Sequence, residues 1–212
     1  YTVCFSGDGY LDACLGGVSD FPFAETFELT TEGIDLGEFT MTAAGSISGR
    51  VWPDVSSDTG LEGVIVSAYG FDGWGWSSVA IAETDLNGFY VISGLSEGVY
   101  HVVADPEFQE PTLQPEWYPN GIRREMSSAI SVTTGEEIPN INFELSEGGS
   151  ISATAYCGDT DTICDSAFAY IDALDGTLPE STRGYAGVDR TTVFTGLPDG
   201  RYVVRMATTS SD

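Results

Sequence analysis

Lysine is absent from this chain, and a single histidine, His101, occurs among its 212 residues. The seven basic residues are all arginines, set against 33 acidic ones, for a formal net charge of −26. A surface of that sign repels phosphate backbones and argues against nucleic acid as a partner. It favours solubility, cation binding or a salty medium. One histidine leaves hydrolytic chemistry little to work with, because a serine triad needs it as base and a zinc peptidase needs it as ligand. His101 falls on a predicted strand, and we expect no enzyme here. Paired carboxylates can cleave glycosides, but among 33 acids such pairs arise by coincidence, and solvated surface charge is the better reading. No apolar run approaches the ~18 residues of a membrane-spanning helix. No Asn-x-Ser/Thr acceptor occurs, so N-glycosylation of that type is not encoded.

No signal peptide is visible, and Tyr1 already lies in a stretch that reads as a strand. We expect a window from a longer precursor. Cysteine is sparse. Its four copies form two close pairs, Cys4/Cys14 and Cys157/Cys164, neither of them Cys-x-x-Cys. With His101 distant from both, a zinc site is disfavoured. Two local disulfides formed in an oxidising compartment are the better reading; four reduced, buried thiols are the competing one.

What is present is alternation, turn chemistry and repetition. In Asp85-Leu86-Asn87-Gly88-Phe89-Tyr90-Val91-Ile92, Asn-Gly lies between alternating apolar runs and predicts a hairpin turn. Phe89 and Val91 are expected on one face of the strand, Tyr90 and Ile92 on the other. Gly94-Leu95-Ser96-Glu97-Gly98-Val99-Tyr100 follows, and Gly196-Leu197-Pro198-Asp199-Gly200-Arg201-Tyr202 repeats its Gly-Leu-x-x-Gly-x-Tyr pattern. Gly45-Ser46-Ile47-Ser48 returns as Gly149-Ser150-Ile151-Ser152, and Tyr1-Thr2-Val3 resembles Tyr100-His101-Val102. Phe27–Thr31 resembles Ile130–Thr134, and Phe39-Thr40-Met41 resembles Phe143-Glu144-Leu145. Fixed-period self-similarity marks a repeat architecture. The unit is about 100 residues, a common domain size, and the chain cuts it out of phase. Residues 1–43 read as the later part of one unit, 44–147 as a whole unit, and 148–212 as the first part of another.

Within the whole unit, strands are expected near 46–52, 62–70, 78–84, 88–93, 98–104, 128–133 and 140–145. Seven short strands with turns rich in Gly, Asn, Asp and Pro predict an all-β sandwich. Residues 105–127, with four prolines, read as a long loop holding one helical turn.

The ordered set Gly45–Val51, Leu61–Tyr69, Thr84-Asp85-x-x-Gly88-x-Tyr90-x-Ile92-x-Gly94-Leu95-x-x-Gly98-x-Tyr100, Trp117-Tyr118-Pro119 and Ile141–Leu145 resembles the carboxypeptidase regulatory-like domain. That resemblance implies tandem seven-stranded transthyretin-like (Ig-like) β-sandwiches on a secreted or surface protein, with a mostly structural role. The third unit departs from it, because Gly187-Val188-Asp189-Arg190 stands where the Thr-Asp-x-x-Gly turn is expected. The related collagen-adhesin B-type repeats are braced by lysine–asparagine isopeptide bonds, which a chain without lysine cannot make.

Candidate sites are few. Asp159, Asp161 and Asp165 cluster by the Cys157–Cys164 loop and offer the several oxygen ligands that calcium takes. Asp54, Asp58 and Glu62 form a looser acidic group. No other cofactor is implied. Phe71-Asp72-Gly73-Trp74-Gly75-Trp76 is a glycine-rich loop. Its Trp74 and Trp76 either dock a glycan or protein ligand or cover the end of the sandwich. The expected function is a non-enzymatic structural module of an extracellular tandem-repeat surface protein, adhesin stalk or filament. A glycan- or protein-binding module, or accessory domains of a larger secreted enzyme, are the alternatives. The expected partners are neighbouring repeats, joined in one chain or head to tail by strand addition.

Overall fold

A computed structural model describes residues 1–16, 24–54, 59–106, 110–154, 156, 167–174, 182–185 and 191–208. The described chain is all-β apart from one 3-10 turn, Arg124–Met126. In order, the strands are β1 (Cys4–Phe5), β2 (Ala13–Cys14), β3 (Gly45–Pro53), β4 (Ile65–Phe71), β5 (Trp76–Glu83), β6 (Phe89–Leu95), β7 (Gly98–Asp105) and β8 (Glu116–Trp117). They continue as β9 (Ile130–Val132), β10 (Glu137–Ile138), β11 (Phe143–Leu145), β12 (Gly149–Thr154), β13 (Ala167–Ala173), β14 (Thr182–Tyr185), β15 (Thr191–Leu197) and β16 (Tyr202–Thr208).

Residues 45–145 form a two-sheet sandwich. In one sheet β3 pairs antiparallel with β6 on one edge and parallel with β10 and β11 on the other. In the second, β4 lies between β5 and β7, and β7 carries β8 and β9 on its far edge. The inward side chains of both sheets meet in one core, with Ile47, Ile92 and Phe143 from the first and Val66, Ala68 and Val102 from the second. Strand alternation delivers this packing: Tyr90 and Ile92 are buried while Phe89 and Val91 face out, as the sequence predicts.

The expected hairpin at Asn87-Gly88 is not formed. β5 pairs with β4 and β6 pairs with β3, so the turn carries the chain from one sheet to the other. The Asp85 carboxylate accepts the backbone N–H groups of Asn87 (2.8 Å) and Phe89 (2.9 Å), fixing an Asx-type turn. Gly88 has φ of +80°, and a Cβ there would lie 2.2 Å from the Val51 carbonyl oxygen. The glycine thus serves both the turn and its close approach to β3. Buried Thr84 braces the same corner: its hydroxyl donates to the Leu61 carbonyl at 2.6 Å and accepts the Val64 N–H at 2.9 Å. The true hairpin is β4–β5, closed through Asp72–Gly75.

Strand limits shift modestly from the expected ones. β4 begins at Ile65 because Leu61–Gly63 is used by the Thr84 corner. The proline-rich stretch contains the 3-10 turn and also β8, which adds to β7.

Several registers recur along the chain, although 27–31 and 39–41, which resemble the segments of β9 and β11 in sequence, form no strand. β3 and β6 match Gly45 with Leu95 and Ile47 with Ile92 across an irregularity. β12 and β15 match Gly149 with Leu197 and Ile151 with Phe194 across an irregularity at the same place. β4 and β7 set Gly70 opposite Tyr100 and Ala68 opposite Val102; β13 and β16 set Ala173 opposite Tyr202 and Ile171 opposite Val204. Near the start, β1 and β2 match Cys4 with Cys14 and Phe5 with Ala13, as β7 and β8 match Val103 with Trp117 and Ala104 with Glu116. The bridge between Tyr10 and Ala43 likewise parallels that between Leu113 and Glu147. The Gly187–Arg190 departure lies outside the described residues.

Candidate functional site

The β4–β5 hairpin builds the most conspicuous surface. One oxygen of Asp72 accepts the backbone N–H groups of Trp74 and Gly75, each at 2.9 Å, and the Asp72 N–H donates to the Gly75 carbonyl at 3.0 Å. The Trp74 and Gly75 amides, with help from the Ser77 hydroxyl, hold the Asp72 carboxyl below its ordinary range. Gly73 supplies the positive φ, +95°, that this tight turn needs. The turn therefore has a defined shape, and it presents Trp74 with 98% of its surface open to solvent.

Trp74 and Trp76 do not play one role. Trp76 is half-buried on β5, with the Phe71 ring 5.8 Å away, the His101 ring edge-on at 4.7 Å and the Arg124 guanidinium 5.2 Å above it. This is a packed cation–π cluster on the outer face of the second sheet. Trp74 and Phe71, which is 60% exposed, lie at its open end.

His101 shares a short hydrogen bond with the Ser127 hydroxyl through Nδ1. The Ser127 hydroxyl also donates to the Arg124 carbonyl at 2.6 Å. A hydroxyl has one hydrogen, so with that hydrogen on the carbonyl, Nδ1–H of His101 must be the donor to Ser127. His101 is then not the base that a nucleophilic serine requires. Burial, followed by the Arg124 charge, lowers its pKa, while Glu125 opposes the shift. The imidazole serves packing and positions the 3-10 turn.

A second feature escaped sequence reasoning. A cavity of about 340 Å³ is lined by Asp54, Gln114, Glu116, Asn120, Glu144 and Ser146, among others. Burial pushes the Glu116 carboxyl up to about 7, against the backbone N–H groups of Asn120 and Glu144, which favour its charge, and with the Glu144 charge adding to the rise. Oε1 of Glu116 has no hydrogen-bond partner among the described residues. In sequence this residue is one acid among 33; only the fold buries it.

The Cys4–Cys14 bond is formed, with Cα atoms 3.9 Å apart. Cys157, Cys164 and the candidate calcium ligands Asp159, Asp161 and Asp165 lie outside the described residues, as does Asp58 of the looser group. Among the described residues no three His, Cys, Asp or Glu side chains converge to hold a metal ion, and no helix is long and apolar enough to cross a membrane.

No protein-family model matches this chain, and no curated protein matches it. Among solved structures, it is similar to the Bacillus anthracis TIE protein at 18% identity and a TM-score of 0.36, over 78% of this chain and 29% of that one. It is similar to a streptococcal ancillary pilin at 15% identity and a TM-score of 0.32, over 86% and 61% of the two chains. A DUF3823 family protein from Bacteroides uniformis ATCC 8492 gives 13% identity and a TM-score of 0.33, over 79% and 84%. The matched region is thus less than two thirds of the first two proteins.

Proposed function

We propose that this chain is a non-enzymatic structural segment of an extracellular tandem-repeat surface protein, a stalk or filament built from transthyretin-like sandwiches. Residues 1–43, 44–147 and 148–212 are the later part of one unit, a whole unit and the first part of the next. The observation that carries the reading is the recurrence of strand registers, irregularity included, from β3/β6 and β4/β7 to β12/β15 and β13/β16. Repeated backbone pairing fits a role in shape and linkage, since stacked repeats make extended structures. The Cys4–Cys14 disulfide fits an oxidising, extracellular location. The partners are neighbouring units. The edge of β12 away from β15 is the place where strands like β10 and β11 would add, from the same chain or from a second copy.

Single-molecule pulling tests this. A whole unit of 104 residues, 44–147, unfolding by itself would lengthen the tether by roughly 350 Å, at about 3.3–3.6 Å per residue. Release of the whole chain in one step would reject independent units.

Trp74 favours a second reading, a docking site for a neutral saccharide ring. An indole held on a fixed turn and almost wholly exposed offers a flat apolar face with the Asp72 carboxylate beside it. The net charge of −26 disfavours anionic glycans. Glycan-array binding that Trp74→Ala abolishes would establish it; an empty array would discard it.

A further inference from the structure

Where consecutive units follow one another, the same two backbone stretches are laced together twice along the chain, and at the later joint a third stretch closes on them. At the later joint Gly148 N–H donates to the Thr112 carbonyl at 2.9 Å and Gln114 N–H to the Ser146 carbonyl at 2.9 Å. The loop so fixed lies against the end of β15 at Gly196-Leu197. A Cβ on Gly196 (φ +64°) would come within 2.3 Å of the Leu113 carbonyl oxygen and 2.7 Å of that of Pro111. A Cβ on Gly148 would come within 2.4 Å of the Gly196 carbonyl carbon and 2.6 Å of the Leu197 nitrogen. All of these neighbours are backbone atoms, which cannot rotate aside as a side chain would. The joint is closed, and it closes only because both positions are glycine.

The earlier joint has the same ladder. Ala44 N–H donates to the Gly9 carbonyl at 2.9 Å, Leu11 N–H to the Thr42 carbonyl at 2.8 Å, and Tyr10 N–H to the Gly7 carbonyl at 3.0 Å, as Leu113 N–H does to Glu110 at 2.9 Å. Gly94, the counterpart of Gly196, keeps the positive φ at +76°. Yet nothing lies within 4 Å of where its Cβ would be. At this joint the place of Gly148 is taken by Ala44, whose methyl group is what the closed geometry has no room for.

We infer that the residue at this one position, 44 or 148, sets how consecutive units join: glycine lets the preceding unit's loop seat on the following unit's Gly-Leu turn, and alanine holds the two apart. The surface around Gly94-Leu95 is then a seat for the Asp8–Tyr10 loop, kept empty by a single methyl group. A stalk of such units is stiff at a glycine joint and pliable at an alanine joint.

The inference rests on the repeat reading above, which the pulling experiment tests separately. Neither Gly148 nor Ala44 belongs to a paired register, so failure of the inference at those positions would leave that reading standing. The test uses the 212-residue chain with Gly148→Ala, Ala44→Gly and, as control, Gly149→Ala, where a Cβ would meet only the Leu197 carbonyl oxygen at an ordinary 3.5 Å. Gly148→Ala should abolish nuclear Overhauser contacts between Gly196 and Leu113 and increase the maximum dimension in X-ray solution scattering; Gly149→Ala should do neither. Ala44→Gly should create contacts between Gly94 and Tyr10 and shorten the molecule. Retained amide protection at Ile92 and Ile171 verifies folding. Should Gly148→Ala unfold the last unit, Ala44→Gly decides the matter alone. Gly148→Ala without effect on a folded chain, or Ala44→Gly leaving Gly94 uncovered, overturns the inference.

Discussion

The Tyr100 hydroxyl donates a 2.8 Å hydrogen bond to the carbonyl of Ser96, four residues earlier. It ties the start of β7 to the turn by which the chain crosses from β6 into the second sheet. The Tyr202 hydroxyl makes the same bond to the Pro198 carbonyl. This explains why tyrosine, rather than another large apolar residue, ends both Gly-Leu-x-x-Gly-x-Tyr stretches. Tyr100→Phe keeps the ring and removes the bond. It should cost about 1 kcal/mol, the usual net worth of one such bond, read from urea unfolding followed by tryptophan fluorescence. An unchanged midpoint would show that the turn is held by packing alone.

Cys4 and Cys14 face each other across β1 and β2 as Val103 and Trp117 do across β7 and β8. There, both side chains are buried, at 1% and 3% exposure, and packing holds β8 on β7. Cys14 is buried as Trp117 is, but Cys4 is exposed, so the covalent bond takes the place of the packing that Val103 supplies. A bond closing a loop of this size adds about 3 kcal/mol in the chain-entropy account. Mild reduction, or Cys4→Ser with Cys14→Ser, should raise amide exchange and proteolysis within residues 1–16. Melting of the 45–145 sandwich should stay where it was. A fall in sandwich stability of similar size would contradict this local role.

Much of this fold is legible in sequence because its signals are local. Alternation in Phe89–Ile92 fixes which residues point inward, and Asp-x-x-Gly fixes a turn. What the turn joins is not a local property. Asp85 and Gly88 make the same hydrogen bonds whether the strands pair or diverge, so the hairpin expectation failed although the turn was correctly placed. The parallel pairing of β10 and β11 with β3 joins residues some ninety positions apart, and no short pattern announces it. The candidate sites fared similarly. Trp74 and Trp76 stand out by composition, but their division into one exposed and one packed ring depends on His101 and Arg124, which arrive from β7 and the 3-10 turn. The burial of Glu116 and the glycine joint have no local signature at all.

The two tryptophans should separate cleanly in mutation. Trp74→Ala removes a side chain that packs on nothing of consequence and should leave the melting temperature unchanged. Trp76→Ala removes the ring between Phe71, His101 and Arg124, and should cost about 1–3 kcal/mol, below the full price of a buried aromatic. It should also move the His101 titration in an NMR pH series, because the imidazole becomes more exposed. Equal effects of the two substitutions would refute the division of roles.

Glu116 should make the sandwich less stable as pH rises through the weakly acidic range. Its carboxyl is raised to about 7 in the folded chain, against an unfolded value of about 4.3. Below about pH 4 it is protonated in both states and costs nothing. Between roughly pH 4.3 and 7 the unfolded chain releases this proton while the folded chain keeps it, so unfolding gains and stability falls with rising pH. Above about 7 the carboxylate is ionised in both states, and the whole cost of charge beside Glu144 in a half-buried cavity is present. The other acids also titrate in this range, so the raw pH profile of the protein does not isolate the effect; the difference between Glu116→Gln and the unsubstituted chain does. The amide is neutral throughout and close in shape, and it can still accept the Asn120 and Glu144 N–H groups through its oxygen. The melting temperature of Glu116→Gln should therefore show its smallest advantage over the parent near pH 4, gain on it steadily to about pH 7, and hold a constant lead above that. A difference independent of pH would mean that Glu116 ionises in the folded chain as it does in the unfolded one, and that the cavity is well solvated.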